Sequence, residues 1–269
     1  MQQYNISKSE YTSFKDFIYA RSGIDLGNDK HSLVTSRLGK RLRHYSFSTF
    51  REYFTFLESP TNSDEQQVAI DLLTTNETYF FREPKHFTFL EKNFLPTWNK
   101  AKGLRIWSAA SSSGEEAYSI AMLLDDMLGE RTWEVFGSDI SIRVLQKAQQ
   151  GLYLLHRIDG IPKEYLRKYC LKGTGEHEGS LLVERRLRDR VSFSQVNLTE
   201  PLGEVGEFEI IFLRNVLIYF DTPTKKYIIK QLVEKLRPGG YLFVGHSESL
   251  KGIHDELESV VPAVYRKVS

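Results

Sequence analysis

Residues 104–124 read LRIWSAASSSGEEAYSIAMLL, and this stretch decides the fold. An apolar run of strand length is followed by a loop of small residues and then by an amphipathic run of helix length. This is the layout of the first strand, loop and helix of a nucleotide-binding α/β domain. Such loops usually carry three glycines that let the backbone approach a pyrophosphate, whereas this loop carries only Gly114. Glu115 and Glu116 follow at the start of the helix, where they suit the helix dipole and would repel an anion. The sequence therefore predicts a domain of the nucleotide-binding α/β type whose ligand is cationic or zwitterionic.

A third acid favours a nucleoside as part of that ligand. Asp139 ends the next apolar strand, 23 residues beyond Glu116, where dinucleotide folds place the acid that holds two ribose hydroxyls. A ribose combined with positive charge and no phosphate describes S-adenosylmethionine, which carries a sulfonium and an ammonium. Of the adjacent acids, we expect Glu116 to face this ligand and Glu115 to cap the helix. The alternative is that all three acids only cap helices.

The rest of the chain divides into two kinds of pattern. Up to about Leu73, apolar residues recur at spacings of three and four, which predicts a small all-α domain at residues 1–74. Over residues 75–269, short apolar strands alternate with amphipathic helices, which predicts a Rossmann-like α/β domain with a parallel sheet covered on both faces. Its ligands are expected beyond the carboxyl ends of the strands. Near the end of the chain, Pro238-Gly239-Gly240 is expected to stop a helix immediately before a strand, as in methyltransferases of this class.

One segment interrupts the alternation of strands and helices. We expect a small antiparallel β insertion at about residues 162–195, because SLLVERRLRDRVSFSQVNL alternates and turns around Arg188-Asp189-Arg190. The alternative is an ordinary crossover containing a ragged helix.

Composition excludes several classes of protein. The chain has 36 Lys and Arg against 35 Asp and Glu, so no overall field favours nucleic acid or an anionic membrane. Cys170 is the only cysteine, which excludes an internal disulfide. No spacing of His, Cys, Asp and Glu resembles a metal site, and His246 is interpreted as structural. No apolar stretch approaches ~18 residues, and the first residues have no basic segment followed by an apolar one. We expect a cytoplasmic monomer without a metal.

Four stretches together resemble the CheR family of chemoreceptor methyltransferases. They are LLTTNETYFFREPKHF (72–87), IWSAASSSGEEAYSIAM (106–122), FLRNVLIYFD (212–221) and GYLFVGHSESL (240–250). The similarity extends over nearly the whole chain. It implies a class I S-adenosylmethionine methyltransferase that methylates receptor glutamates, giving glutamate 5-O-methyl ester and S-adenosylhomocysteine. The family's cofactor-binding positions match Asn76, Thr78, Arg82, Glu116, Asp139, Asn197 and Arg214, with Leu198 and Leu213 giving backbone or apolar contacts. Relatives often have a cysteine where this chain has Leu213, which removes any thiol role.

This reaction explains why the sequence contains no catalytic dyad. A glutamate side chain has a pKa of about 4.3 and is already ionised at neutral pH, and the leaving group is a neutral thioether. The reaction therefore needs alignment and removal of water rather than a general acid or base. We expect Arg82 to position the substrate or the cofactor and Tyr219 to orient the substrate. The alternatives are that Arg82 is a surface arginine without a role in the reaction and that Tyr219 packs in the core.

Two surfaces are expected to bind the receptor. Between residues 30 and 51 there are six Lys and Arg and no acid. Helical spacing places most of these basic residues on the face opposite an apolar stripe. We expect an exposed basic face of Lys30, Arg37, Lys40, Arg41 and Arg43 that docks on the glutamate-rich helices of a chemoreceptor. A merely solvated face is the alternative, and nucleic acid is disfavoured because no aromatics are interleaved. The loop GTGEHEG (173–179) resembles that of family members that grip a receptor's C-terminal peptide as an added strand, which would tether the substrate.

Two other functions compete with methyl transfer. The first is a catalytically silent protein that binds S-adenosylmethionine or serves as an adaptor in membrane receptor arrays. The second, a nicotinamide oxidoreductase, is disfavoured by the missing glycines at 109–113.

Overall fold

The computed structural model describes residues 4–98 and 103–268. The chain forms two compact units. One contains Met1–Thr75 together with Tyr219–Lys225, and the other contains Asn76–Ile218 and Lys226–Ser269. Among the described residues, every helix is too short or too polar to cross a bilayer.

The first unit is helical, as the spacing of apolar residues predicted. Its helices are α1 (Lys8–Ser22), α2 (His31–Tyr45), α3 (Phe50–Glu58) and α4 (Ser63–Leu73). Capping boxes start α1 and α3, where Ser7 and Thr49 each accept from the backbone N–H three residues on. The side chains that pack the centre of this unit include Phe14, Leu38 and Tyr53, each fully buried. Hydrogen bonds join the segment Tyr219–Lys225 to the rest of this unit. Tyr19 Oη donates to Asp221 (2.7 Å) and Asp25 N donates to the Tyr219 carbonyl (2.9 Å).

The remaining elements alternate in the predicted manner. After α5 (Pro84–Phe89), which continues as a π-helical segment Leu90–Phe94, they are β1 (Leu104–Ala109), α6 (Glu115–Leu128), β2 (Trp133–Asp139), α7 (Ile142–Gln150), β3 (Leu152–Leu154), α8 (Lys163–Tyr169), β4 (Cys170–Lys172), β5 (Ser180–Val183), α9 (Arg185–Arg188), β6 (Val191–Gln195), β7 (Phe208–Leu213), α10 (Thr222–Lys235), β8 (Leu236–Val244), β9 (Leu257–Val261) and β10 (Val264–Lys267).

The main sheet has seven strands in the order β6-β2-β1-β7-β8-β10-β9. The first five strands are parallel, and β10 pairs antiparallel with β8 and β9. Strand β7 is buried along its whole length, which explains why it reads as a continuous apolar run rather than an alternating one. The strand order reverses between β1 and β7, and α/β sheets bind their ligands outside the carboxyl ends at such a point. The predicted Rossmann-like class is therefore confirmed.

The β insertion is confirmed as a separate antiparallel sheet, although its composition differs from the prediction. Its strand order is β3-β5-β4, so the sheet begins at Leu152, before residue 162. The expected ribbon around Arg188-Asp189-Arg190 is wrong. Helix α9 separates β5 from the following strand, and β6 instead pairs in parallel with β2 at the edge of the main sheet. The alternating pattern in this stretch thus belongs to two sheets.

The expected helix stop at Pro238-Gly239-Gly240 is also wrong. Helix α10 ends at Lys235, and the three residues lie inside β8, where the pairing with β7 shifts register. A proline is tolerated in a strand at such an irregularity. A Cβ on Gly240 would lie 2.7 Å from the carbonyl oxygen of Glu209, so the close approach of β7 requires glycine there.

Candidate cofactor site

Four of the predicted site residues follow the carboxyl ends of parallel strands. Glu116 comes after β1, Asp139 ends β2, Asn197 follows β6 and Arg214 follows β7. Because these strands are parallel and adjacent, their carboxyl ends lie at one edge of the sheet. The spacing of acids and strands in the sequence predicted this placement for Glu116 and Asp139, whereas Asn197 and Arg214 were implied only by the family resemblance.

The loop between β1 and α6 is a tight turn. Ala110, Ser112 and Gly114 all have positive φ, at 65°, 51° and 92°. Ser112 N donates to Asp139 Oδ2 (2.9 Å), and its hydroxyl donates to the carbonyl of Asn76 (3.0 Å). A Cβ on Gly114 would lie 2.8 Å from the Cβ of Ala148 in α7. The single glycine therefore serves the turn and the packing of two helices, and the neighbouring small residues keep the loop close to the sheet.

The two adjacent glutamates have different surroundings. Glu115 is fully buried, accepts from the Ser113 hydroxyl (2.7 Å) and pairs with Arg157 (3.0 Å). Burial raises the pKa of Glu115 above its ordinary value. The N-cap of α6 is Gly114 and has no side-chain cap bond, so the expectation that Glu115 caps this helix is wrong.

Glu116 is the member of the pair that reaches the surface. Its side chain is 13% exposed and accepts from the Ser108 hydroxyl (2.7 Å) and from Arg214 Nη1 (2.9 Å). Both partners lie on or directly after strands that flank the reversal of the strand order. Its contact with a cofactor stays a prediction.

The Asp139 side chain is buried and accepts hydrogen bonds from backbone N–H groups of two segments. Oδ2 accepts from Ser112 N, and Oδ1 accepts from Ser141 N (3.0 Å) at the start of α7. A carboxylate oxygen can accept more than one hydrogen bond, and a ribose hydroxyl is a suitable donor to it. The same side chain therefore fixes the loop after β1 and suits the predicted ribose contact.

Arg214 connects three segments of the chain. Its side chain is only 2% exposed and donates to Glu116, to Glu83 Oε2 (3.0 Å) and to the carbonyl of Arg82. Glu83 Oε1 also accepts from Asn215 Nδ2 (3.2 Å) and His246 N (3.1 Å). Burial would raise the pKa of Glu83, but the charge of Arg214 and these donors hold it below its usual value. Glu83 is therefore ionised at neutral pH.

Sequence reasoning missed Glu83, although its position directly after Arg82 in FFREP is a usable signal. Glu83 and Phe81 both adopt positive φ, at 56° and 54°, on either side of Arg82. Phe81 N is held by the Ser119 hydroxyl (2.9 Å). Strained backbone of this kind persists only where its surroundings impose it, and it concentrates at functional sites.

Arg82 itself is half-buried. Nη1 donates to the carbonyl of Glu77 (2.8 Å), and the guanidinium carbon lies 5.5 Å from the centre of the Tyr79 ring. These contacts use one of the five donors of the guanidinium. Its role in positioning the substrate or the cofactor stays a prediction.

The other predicted cofactor positions have the following contacts. The carbonyl of Thr78 accepts from Arg157 Nη2 (3.1 Å). Asn197 Oδ1 accepts from Thr199 N, and its Nδ2 donates to Glu200, so Asn197 stabilises its own turn. Leu198 and Leu213 are buried. Through Ser112 and Arg157, hydrogen bonds link the segment of Asn76 and Thr78 to the loop after β1 and to the start of α6.

Tyr219 ends a 3₁₀ turn, Leu217–Tyr219, and belongs to the helical unit. It is half-buried, and its carbonyl accepts from Asp25 N. Its predicted catalytic role stays a prediction.

One cluster of metal-ligating side chains was not expected from the sequence. Possible ligand atoms of Glu83, His86 and His246 lie within 4.8 Å of one another. Burial and the charge of Arg214 lower the pKa of His86 to about 3, so this ring is neutral. Arg214 already neutralises Glu83 at 3.0 Å, and a metal ion would have to compete with that guanidinium.

The predicted basic face is only partly exposed. Lys30, Lys40 and Arg43 are exposed, as expected. Arg37 instead donates to the carbonyls of Leu73 and Thr74 at the end of α4 (3.0 and 2.9 Å). The carbonyls at the C-terminal end of a helix carry partial negative charge, which attracts a cation such as this guanidinium.

Arg41 is the other exception. It binds Glu65 with two donors, and Glu65 also accepts from Tyr53 (2.6 Å) and Tyr45 (3.0 Å). Exposure of Arg37 and Arg41 was therefore a wrong prediction, because partners on α4 hold both side chains half-buried.

The loop 173–179 contains a 3₁₀ turn, Gly175–His177, and joins β4 to β5. Strand β4 is an edge strand of the small sheet. Binding of a tether peptide there stays a prediction.

Comparisons with known proteins agree across both parts of the chain. A family model described as "CheR methyltransferase, SAM binding domain" matches residues 76–265, and one described as "CheR methyltransferase, all-alpha domain" matches residues 9–74. A chemotaxis protein methyltransferase of Salmonella typhimurium is 41% identical over 98% of this chain and 92% of its own. That of Escherichia coli is 42% identical, over 91% and 85%. That of Borreliella burgdorferi is 37% identical, over 98% and 95%.

Proposed function

The chain belongs to the CheR methyltransferase family, and from this membership we propose that it methylates glutamate side chains of chemoreceptors. S-adenosylmethionine supplies the methyl group, and the products are glutamate 5-O-methyl ester and S-adenosylhomocysteine. The structural observation that carries the proposal is the cluster of Glu83, Glu116 and Arg214 at the reversal of the strand order. Two carboxylates share one guanidinium there, which leaves one surplus negative charge beside a loop without the phosphate-binding glycines.

We propose the following roles for the site residues. Glu116 attracts the positive charge of the cofactor, and Asp139 accepts from its ribose hydroxyls. Asn76, Thr78, Asn197 and Arg214 supply further polar contacts, and the buried Leu198 and Leu213 supply backbone or apolar ones.

The chain's own residues then have only to align and desolvate the reactants. The nucleophilic carboxylate of the substrate is ionised at neutral pH and needs no base. Arg82 retains free donors that can clamp a carboxylate with two parallel bonds, and Tyr219 orients the substrate. The reaction as proposed uses no metal.

We further propose that residues 1–74 dock the receptor and residues 75–269 carry the reaction. Lys30, Lys40 and Arg43 offer exposed positive charge to the glutamate-rich receptor helices. The open edge of β4 accepts a C-terminal receptor peptide as an added strand. The protein acts as a cytoplasmic monomer that these contacts recruit to membrane receptor arrays. A catalytically silent role is not favoured, because Asn76, Arg82, Asp139, Arg214 and Tyr219 are all present.

Incubation with methyl-labelled S-adenosylmethionine and receptor-bearing membranes tests the proposal. The expected result is label on receptor glutamates that mild base releases as methanol, since a carboxyl methyl ester is base-labile. Label that resists mild base, or that enters RNA or a small molecule instead, would refute the proposed reaction.

A further inference from the structure

Glu83 accepts hydrogen bonds from residues of two other loops at the carboxyl ends of the parallel strands. Its carboxylate binds the Arg214 guanidinium, the Asn215 amide and the backbone N–H of His246. These partners come from the loops after β7 and β8, whereas Glu83 itself precedes α5. One side chain therefore holds three separate segments together.

The contact with Arg214 also has an electrostatic consequence. Arg214 lies 3.0 Å from Glu83 and 2.9 Å from Glu116. All three side chains are at most 14% exposed, so bulk water screens their charges weakly. With Glu83 present, the three charges leave one net negative charge. Without it, Arg214 and Glu116 would cancel each other, and the site would lose its attraction for a cation.

We propose that Glu83 is a positioning residue that neutralises Arg214 and so reserves the charge of Glu116 for the sulfonium of the methyl donor. This inference rests on the proposed function, because it requires S-adenosylmethionine to bind at Glu116. Glu83 acts through Arg214 and touches neither the substrate nor the reacting atoms.

The donor and the product of the reaction provide a matched pair of probes. S-adenosylmethionine carries a positive sulfonium, whereas S-adenosylhomocysteine carries a neutral thioether, and both carry the same adenosine, ammonium and carboxylate. The ratio of their two dissociation constants isolates the response of the site to one positive charge. A general loosening of the structure would weaken the binding of both ligands by the same factor and leave this ratio unchanged.

The experiment measures both dissociation constants by titration calorimetry on the full chain. Glu83→Gln keeps the shape of the side chain and removes its charge. It is expected to weaken the binding of S-adenosylmethionine about tenfold more than the binding of S-adenosylhomocysteine. Glu83→Asp keeps the charge and is expected to hold the ratio near that of the unmodified protein.

Glu248→Gln is the matched structural control. Glu248 is also buried and accepts from the backbone N–H of Asn215 (2.8 Å) and Gly245 (2.6 Å), within the same two loops. Its hydrogen bonds go to backbone rather than to the guanidinium. Its loss is expected to weaken both ligands by similar factors.

The double variant Glu83→Gln/Arg214→Gln separates charge from structure most sharply. It removes one more group than Glu83→Gln, yet it restores the net negative charge, so the ratio is expected to return toward that of the unmodified protein. It also leaves no unpaired buried cation, so it carries the test alone if Glu83→Gln does not fold. An unchanged ratio in Glu83→Gln, or a tenfold loss that persists in the double variant, overturns the inference. Failure of the unmodified protein to bind S-adenosylmethionine at all would count instead against the proposed function.

Discussion

Replacement of Arg82 by alanine is expected to cause a large loss of methyl transfer while the protein remains folded. The side chain makes one hydrogen bond to the Glu77 carbonyl and lies over the Tyr79 ring. A hydrogen bond of a charged group contributes about 1.5–3 kcal/mol, and a cation–π contact at an accessible site about 0.5–1 kcal/mol. Their loss together costs about 2–4 kcal/mol against a typical total stability of ~5–15 kcal/mol. The variant should therefore melt at a lower temperature but still cooperatively.

The effect on activity should be larger than the effect on stability. A positioned guanidinium that holds a carboxylate with two bonds contributes about 3–4 kcal/mol to the transition state, which corresponds to a loss in kcat/KM of about 10²–10³-fold. The assay is the initial rate of base-labile label incorporation into receptor, with circular dichroism as the check on folding. Arg82→Lys keeps the charge but not the two parallel donors, and should recover only a small part of the rate.

Arg266→Ala is the matched control for these measurements. Arg266 makes the same kinds of contact, donating to the Gly239 carbonyl and lying over the Tyr241 ring, but it is on β10. The Arg266→Ala variant should be less stable than the unmodified protein but should transfer methyl groups at the same rate. Turnover of Arg82→Ala within a fewfold of Arg266→Ala would refute the reasoning.

Three further predictions concern the fold and the docking surface. Glu65→Gln should cost about 2–3 kcal/mol at pH 7, since it leaves a half-buried arginine and two tyrosines without their carboxylate. Burial would raise the pKa of Glu65, but its donors lower it overall. The unmodified protein should therefore exceed the variant in free energy of unfolding by the full amount above the unfolded pKa of about 4.3. This difference should disappear in thermal melts as the pH falls through the folded pKa of Glu65. Gly114→Ala should destabilise more than Gly203→Ala by chemical denaturation, because both have positive φ but only Gly114 faces another Cβ at 2.8 Å. Lys40→Glu/Arg43→Glu should raise the KM for receptor several-fold and leave the dissociation constant of S-adenosylmethionine unchanged.

The sequence was informative wherever a local pattern determines position. Apolar strands followed by acids placed Glu116 and Asp139 at the carboxyl edge of the sheet, because the end of a strand is visible as the end of its apolar run. The helical unit was predictable for the same reason, from the spacing of residues such as Phe14 and Leu38.

Predictions failed where a residue's role depends on distant partners. Alternation does not reveal which sheet a strand joins, so β6 was assigned to a ribbon rather than to the edge beside β2. Helical spacing showed that Arg41 is opposite the apolar stripe, but not that Glu65 lies within its reach. The position of Glu83 directly after Arg82 could have drawn attention to it, but its partners lie in the loops after β7 and β8, and no local pattern shows that these loops reach it.

The helical unit is built from two stretches that are far apart in the chain, since Tyr19 bonds to Asp221, which lies 202 residues later. During synthesis the ribosome must therefore complete most of the chain before this unit has all its parts. Contacts of such long sequence separation also slow folding, because a large loop must close first. A fragment cut after Thr75 would lack Tyr219–Lys225 and would lose the hydrogen bonds that this segment makes with Tyr19 and Asp25.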